Sequence, residues 1–262
     1  MSSENAKIVV KNLFNVESWV CVVTGGGTGI GLMIAQAFAN NGAKVYITSR
    51  RREVLERTAK RWGSSLAHPQ GRIEVSKQEN HIDLLVNNAG ISEGTSAVEK
   101  GDESAKALSM ELFGEDQASW ENVYRTNVIG YYFVTTAFLP LVYATSSMRS
   151  QHTGSVINIS SMSGITRTTQ HHFKYNVSKA ATIHLSTLLA QEFRRKLTVI
   201  LASSSDELNK SQIPVGEDYG EKKGIPAGRP GREEDVAQAA LLLACNQRIP
   251  LTIDGGYLLE HP

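Results

Sequence analysis

Val20-Cys-Val-Val-Thr-Gly-Gly-Gly-Thr-Gly-Ile-Gly31 decides the fold. Val20 to Thr24 is a short apolar run, the composition of a strand buried on both faces. From Gly29 to Asn41 the spacing of Ile30, Ile34, Ala37 and Phe38 predicts a helix, closed by Asn-Gly. The glycines between them permit positive φ and let a ligand approach the backbone. A helix start there offers unpaired N–H groups and the positive end of a dipole to a pyrophosphate. Gly25, Gly29 and Gly31 follow a spacing related to the general dinucleotide fingerprint but not identical to it. A purely structural strand-to-helix turn is the alternative reading.

The rest of the chain repeats the alternation. Strands are predicted at Lys44–Ser49, Ile82–Asn87, Ser155–Ser160, Leu197–Ala202 and Leu251–Asp254. Helices are predicted at Arg51–Trp62, Trp120–Val142 (with Pro140 inside it), Phe173–Arg195 and Glu233–Ala244. Strands alternating with helices imply an α/β fold, a doubly wound Rossmann-type parallel sheet in three layers, helices on both faces. The 262 residues suit a single domain, 1–262, with an N-terminal extension at 1–18 and a substrate-side loop region at 203–232.

Hydrophobic residues make 41% of the chain and charged residues 20%, as in soluble globular proteins. A net charge of +1 gives no reason to expect nucleic acid or an anionic membrane as partner. Cys21 and Cys245 are far apart and read as small buried residues, without disulfide or metal spacing. Met1 to Asn15 lacks the long apolar core of a signal peptide or membrane span, so a cytoplasmic setting is expected.

Tyr175-Asn-Val-Ser-Lys179 places a phenol and an ammonium on one helical face. A neighbouring cation favours the phenolate, which makes Tyr175 usable for proton transfer near neutral pH. Alone, such a pair is usually surface decoration. After the second strand stand Ser49-Arg50-Arg51-Arg52, with no acid until Glu53. An acid at that position would hold the ribose of NAD; guanidiniums suit the 2′-phosphate of NADP. NADP is therefore expected ahead of NAD, a solvated basic helix start being the other reading.

With these motifs in place, the chain resembles the short-chain dehydrogenase/reductase family from Val20 to Gly256. Among subgroups it looks most like 3-oxoacyl-thioester reductases and their fungal relatives. Thr24 to Gly31 resembles the family's cofactor turn, and Asn87-Asn-Ala-Gly90 its motif after the fourth strand. Asn127, Ser161, Tyr175 and Lys179 match its catalytic residues, and Asp254-Gly-Gly256 its C-terminal strand end. Ser161 fits better than Ser160 because it stands three residues before Gly164; Ser163 is a third candidate.

The resemblance implies an oxidoreductase that interconverts a carbonyl and a secondary alcohol. Tyr175 would exchange the proton, and Lys179 would lower its pKa and hold the nicotinamide ribose. Ser161 would bond the carbonyl oxygen, and Asn127 would hold a water linking Lys179 to solvent. Cofactor contacts are expected from Gly25, Thr28, Gly29, Ile30 and Gly31, and from Ser49 and Arg50. Asn87, Ala89, Gly90, Tyr175 and Lys179 would complete them. A homodimer or homotetramer and a small-molecule substrate are implied as well. No metal is expected: His171-His172 has no third ligand at a sensible spacing.

The chain also departs from the family. Only Arg72-Ile-Glu-Val75 can form a third strand, and Ser76 to His81 is all that follows it before Ile82. A crossover helix needs about a dozen residues. The lateral step of three strands is roughly 14 Å at about 4.8 Å per strand. Fully stretched, the linker reaches about 20 Å. A complete third strand-helix unit is therefore excluded, and the adenine side of the site is expected to be rebuilt. After Ala202 the family's Pro-Gly and Thr-bearing loop are replaced by Ser203-Ser-Ser-Asp-Glu-Leu208, and Cys245 to Leu251 is short. Such gaps read as lost segments, from alternative splicing or a misjoined gene, and sequencing the transcript tests that. Ser92 to Asp116 is conversely long and polar, with a short helix expected at Ala105–Leu112. A truncated, non-catalytic relative is the rival reading. An epimerase or dehydratase of the extended branch would need a substrate domain for which the length leaves no room.

Overall fold

Period-two alternation sorts the strand residues between two cores. The computed structural model describes residues 8–75, 79–98, 104–149, 153–193, 198–204, 231–245 and 251–253. Its strands are β1 (Val20–Thr24), β2 (Lys44–Thr48), β3 (Arg72–Glu74), β4 (Leu84–Asn87), β5 (Ser155–Ser161), β6 (Thr198–Ser204) and β7 (Leu251–Ile253). They form one seven-stranded parallel sheet in the order β3-β2-β1-β4-β5-β6-β7. Cys21, Val23, Val45, Ile47, Leu84 and Val86 face one core. Val20, Val22, Tyr46, Leu85 and Val156 face the other. Burial on both faces explains why β1 and β4 read as continuous apolar runs.

On the first face lie α2 (Gly29–Asn40) and α8 (Glu233–Cys245), with Ile34, Phe38 and Leu243 in the core. Leu55 of α3 (Arg52–Gly63) joins them. The second face carries α6 (Gly130–Met148) and α7 (Phe173–Phe193), which bury Val142, Leu189 and Phe193. Shorter pieces are α1 (Val10–Leu13), α4 (Ala105–Phe113) and α5 (Gln117–Tyr124). This is the expected doubly wound α/β architecture, and its strand order reverses between β1 and β4, where such sheets open a crevice.

The helix expected at Trp120–Val142 starts earlier and runs further. Asp116 caps it, accepting from Ala118 N at 3.0 Å, and α5 continues through a π turn, Arg125–Ile129, into α6. Pro140 lies within α6 without ending it. Among the described residues this run, Gln117–Met148, is long and apolar enough by composition to cross a bilayer. Here it lies along the sheet: Val142 is buried, and Thr145 Oγ1 donates to Ile82 O at 2.7 Å.

The third unit is incomplete as expected. β3 pairs with β2 at the sheet edge through Lys44↔Arg72, Val45↔Ile73 and Tyr46↔Glu74. Between β3 and β4 no helix occurs among the described residues. Asp254-Gly-Gly256, residues 205–230 of the substrate-side region and residues 1–7 of the N-terminal extension lie outside the described residues.

Candidate active site

The glycine turn is fixed from three sides. Gly25 adopts φ +67°, open to glycine at little cost, and its N–H donates to Thr48 O at 2.7 Å. Thr58 of α3 donates to Gly27 O at 2.9 Å. A Cβ on Gly31 would come within 2.5 Å of Gly25 O and of Asn88 Nδ2, so α2 can begin this close to the loop after β4 only without one. Thr24 ties the two loops together: its hydroxyl accepts from Asn88 N at 2.9 Å and from Ala89 N at 3.0 Å. The α2 N-terminus therefore opens into a cleft of about 1300 Å³.

Gly25, Thr28, Ile30, Ser49, Arg50, Ala89, Gly90, Tyr175 and Lys179 line that cleft, as their sequence positions suggested. Arg51 lines it too. Gly29 and Gly31 shape the turn from behind, Gly29 with φ +54°. Asn87 stands elsewhere. It is fully buried, and its amide donates to Thr135 Oγ1 and Asn158 Oδ1, both at 2.8 Å. The side-chain amide at the cleft belongs to Asn88, which also donates to Thr24 O at 3.0 Å. Asn88 and Thr24 were missed from sequence, although both sit inside the quoted motifs.

At the other end of the cleft the π turn delivers Asn127. A π turn widens the helix locally and occurs disproportionately at functional sites. Asn127 is fully buried. Its Oδ1 accepts from Ile91 N at 2.9 Å, and its Nδ2 donates to Ile91 O and Ser178 Oγ at 3.0 Å each. Its main-chain oxygen accepts from Thr182 Oγ1 at 3.0 Å. Lys179, 3% exposed, donates to Ile159 O at 3.0 Å, and its ammonium stands 5.6 Å from the Tyr175 ring centre. Gly90 seals the junction, since a Cβ there would lie 3.4 Å from both Asn127 Oδ1 and Lys179 Nζ. Tyr131, whose hydroxyl donates to Ile159 O at 3.1 Å, has its phenol pKa raised by burial and by Tyr175.

Ser161 is fully buried beneath this group, its hydroxyl accepting from Ser163 N at 3.1 Å. Ser160 reaches the cleft and donates to Lys179 O at 2.8 Å. Ser163 donates to Gln170 Oε1 at 3.0 Å. Gln170 and His171 hold φ of 49° and 61°, left-handed values that set the start of α7. The long excursion after β4 is anchored beside Tyr175, where Lys174 lies 3.6 Å from Glu115 and Trp120 Nε1 donates to Glu115 at 2.8 Å. Its helix, α4, is the one expected from sequence, longer by one residue. Among the described residues no three His, Cys, Asp or Glu side chains gather as metal ligands.

The cradle fits a dinucleotide. It has a glycine turn opening a helix, two arginines at the end of β2, and a cleft long enough to reach Tyr175 and Lys179. The profile of the short chain dehydrogenase family matches residues 19–204. The short-chain dehydrogenase/reductase PhomF of Diaporthe leptostromiformis is 32% identical across all of this chain and 98% of its own length. That alignment leaves 38 positions (300 against 262 residues) opposite gaps in this chain. A 3-oxoacyl-acyl-carrier-protein reductase of rhamnolipid biosynthesis from Pseudomonas aeruginosa is 30% identical, over 94% of this chain and 98% of its own. The solved Pseudomonas aeruginosa RhlG/NADP active-site complex superposes with a TM-score of 0.75 at 26% identity, over 94% of this chain and 98% of that one.

Proposed function

The chain belongs to the short chain dehydrogenase family, and on that premise we propose that it is an NADP-dependent oxidoreductase interconverting a carbonyl and a secondary alcohol. One observation carries the reading: Asn127 and Lys179 meet at Gly90, with the Tyr175 ring beside the Lys179 ammonium, in the cleft that the glycine turn opens. A bound nicotinamide cofactor supplies the hydride. Tyr175 passes the proton to the carbonyl oxygen or takes it back from the alcohol. Lys179 stabilises the phenolate from beside the ring. The family resemblance gives the polarisation of the substrate oxygen to the Ser161 hydroxyl, which is buried here while Ser160 reaches the cleft, and Asn127 keeps the loop at Ile91 and the helix at Ser178 in register with the pair.

NADP is favoured over NAD by Arg50 and Arg51 on the cleft wall, because the stretch Ser49 to Arg52 after β2 holds no carboxylate to receive a ribose hydroxyl. Phe133, 63% exposed on α6, shares an apolar surface with Tyr132, and Val177 and Leu188 leave α7 similarly open. Burial of such faces against a second copy supports a homodimer or homotetramer. We assign a cytoplasmic setting and a small-molecule substrate on the same family grounds.

A second reading, a relative that has lost catalysis, is favoured by the missing helix between β3 and β4. Calorimetric titration with NADPH and NADH decides between them. Micromolar NADPH binding, weaker NADH binding and turnover on a panel of ketones and 3-oxoacyl thioesters are expected. Absence of NADPH binding at millimolar concentration overturns the oxidoreductase reading.

A further inference from the structure

The cleft continues past the dinucleotide cradle. On the second face of the sheet, α6 and α7 share one apolar cluster with Val20 and Val22 of β1 and Tyr46 of β2. Between α6 and those strands the cleft leaves a trough. Its floor is Val22, Tyr46 and Ile82, and its wall is Val134, Phe138 and Leu141, all part of the same 1300 Å³ space as the glycine turn. The three wall residues recur at i, i+4 and i+7, one stripe of α6 about 10 Å long. Cavities for drug-sized ligands run to about 1000 Å³, so this space exceeds the ordinary need of one such molecule.

Glu79 accepts hydrogen bonds from both Tyr46 and Lys44 and so is tied to β2 beside the trough. Val22 and Tyr46 are each 7% exposed and Ile82 2%, so the floor is apolar and mostly closed to water. At its upper end the trough opens onto Arg50, Arg51 and the N-terminus of α2. Positive charge at the mouth and the apolar stripe of α6 below match one chemistry, the Glu79 carboxylate in the same lining being engaged by Lys44 and Tyr46.

We propose that the trough binds the alkyl tail of an anionic amphiphile, a phosphate- or carboxylate-headed acyl chain whose head sits at Arg50 and Arg51. Its head would occupy part of the cofactor's phosphate subsite, so the two compete, and the amphiphile regulates cofactor entry. Tail binding stands on the trough alone and does not depend on the oxidoreductase reading.

The test is a calorimetric series of hexyl, octyl, decyl and dodecyl phosphate below their micellar concentrations, with inorganic phosphate and 1-octanol as controls. Affinity should rise about fourfold per added methylene until the wall is covered, then level off. Octyl phosphate should bind more tightly than either control and raise the apparent Kd of NADPH. In Phe138→Asp the dependence on length should flatten. In the double variant Arg50→Ala, Arg51→Ala all lengths should weaken by the same factor. Equal affinity at every length in the unmodified protein overturns the proposal without any variant having to fold. A steep, saturating length dependence together with no NADPH binding would sink the cofactor reading and leave the trough standing.

Discussion

The two ends of the cleft are built to different standards. At the Tyr175 end, held groups hold each other: Asn127 bonds Ile91 and Ser178, Thr182 bonds Asn127, and Lys179 bonds Ile159. Four elements, β5, the π turn, α7 and the loop after β4, converge there. At the arginine end the wall is two exposed guanidiniums, a three-residue edge strand and a crossing tied down by Glu79. Buried, fully bonded networks resist displacement because each lost partner leaves a buried polar group exposed to its full desolvation cost. Edge strands and solvent-facing cations have no such penalty. On the proposed function, the end assigned to proton transfer is therefore rigid and the end assigned to cofactor choice is soft.

The largest effect that could break this contrast lies at the rigid end. Tyr175→Phe removes the hydroxyl proposed to exchange a proton with the substrate and leaves the ring in place. Turnover should fall by about 10³-fold, in the range of lost general acid catalysis, while the Kd for NADPH stays within about twofold, since the change alters no phosphate contact. Steady-state kinetics beside calorimetry measure both. Surviving turnover would mean that the well-ordered end is only structural.

An intermediate effect is expected at the soft end. Arg50→Ala with Arg51→Ala removes the cations proposed to receive the 2′-phosphate. Charge-assisted hydrogen bonds to a phosphate are individually strong, but both side chains are exposed and screened. NADPH should bind about tenfold more weakly and NADH should be unaffected, so the preference narrows. Equal weakening of both cofactors would show that the arginines serve the pyrophosphate and not cofactor choice.

Much of this division was legible in the sequence. The glycine turn, the Tyr175–Lys179 pair and the alternation of apolar runs each report local rules, period and turn chemistry, that fix their own surroundings. The missing helix was legible for a simpler reason: the length from Ser76 to His81 bounds the reach of the chain whatever its residues are. Neighbouring choices within a motif were not legible. Asn87 and Asn88 are adjacent and chemically alike, and the end of β4 falls between them, which keeps the first inward on Asn158 and leaves the second, in the loop, at the cleft. Strand parity separates Ser161 from Ser160. The trough beside β1 and β2 was likewise hidden, because it is made by what α6 presents to strands distant in sequence and not by any run of sequence.

The smallest effect sharpens the contrast most. Burial alone would raise the Glu79 carboxyl, but the hydrogen bonds from Tyr46 and Lys44 together outweigh it and hold its pKa below the ordinary carboxylate value. Tyr46 is shifted upward, by burial first and then by Glu79, so its hydroxyl stays a donor across the neutral range. A carboxyl depressed in the folded state contributes stability above its unfolded pKa, near about 4.3, and loses it as pH falls through the folded value. Glu79→Gln should therefore cost about 1 kcal/mol near neutral pH, and the gap between variant and parent in urea unfolding should close below about pH 4. Hydrogen exchange should quicken at Ile73 and Glu74 of β3 and leave α7 unchanged, because the clasp supports only the end that lost its helix. A gap that persists unchanged to low pH, or exchange that quickens equally in α7, would mean that the two ends share one cooperative unit and that their difference in construction has no thermodynamic consequence.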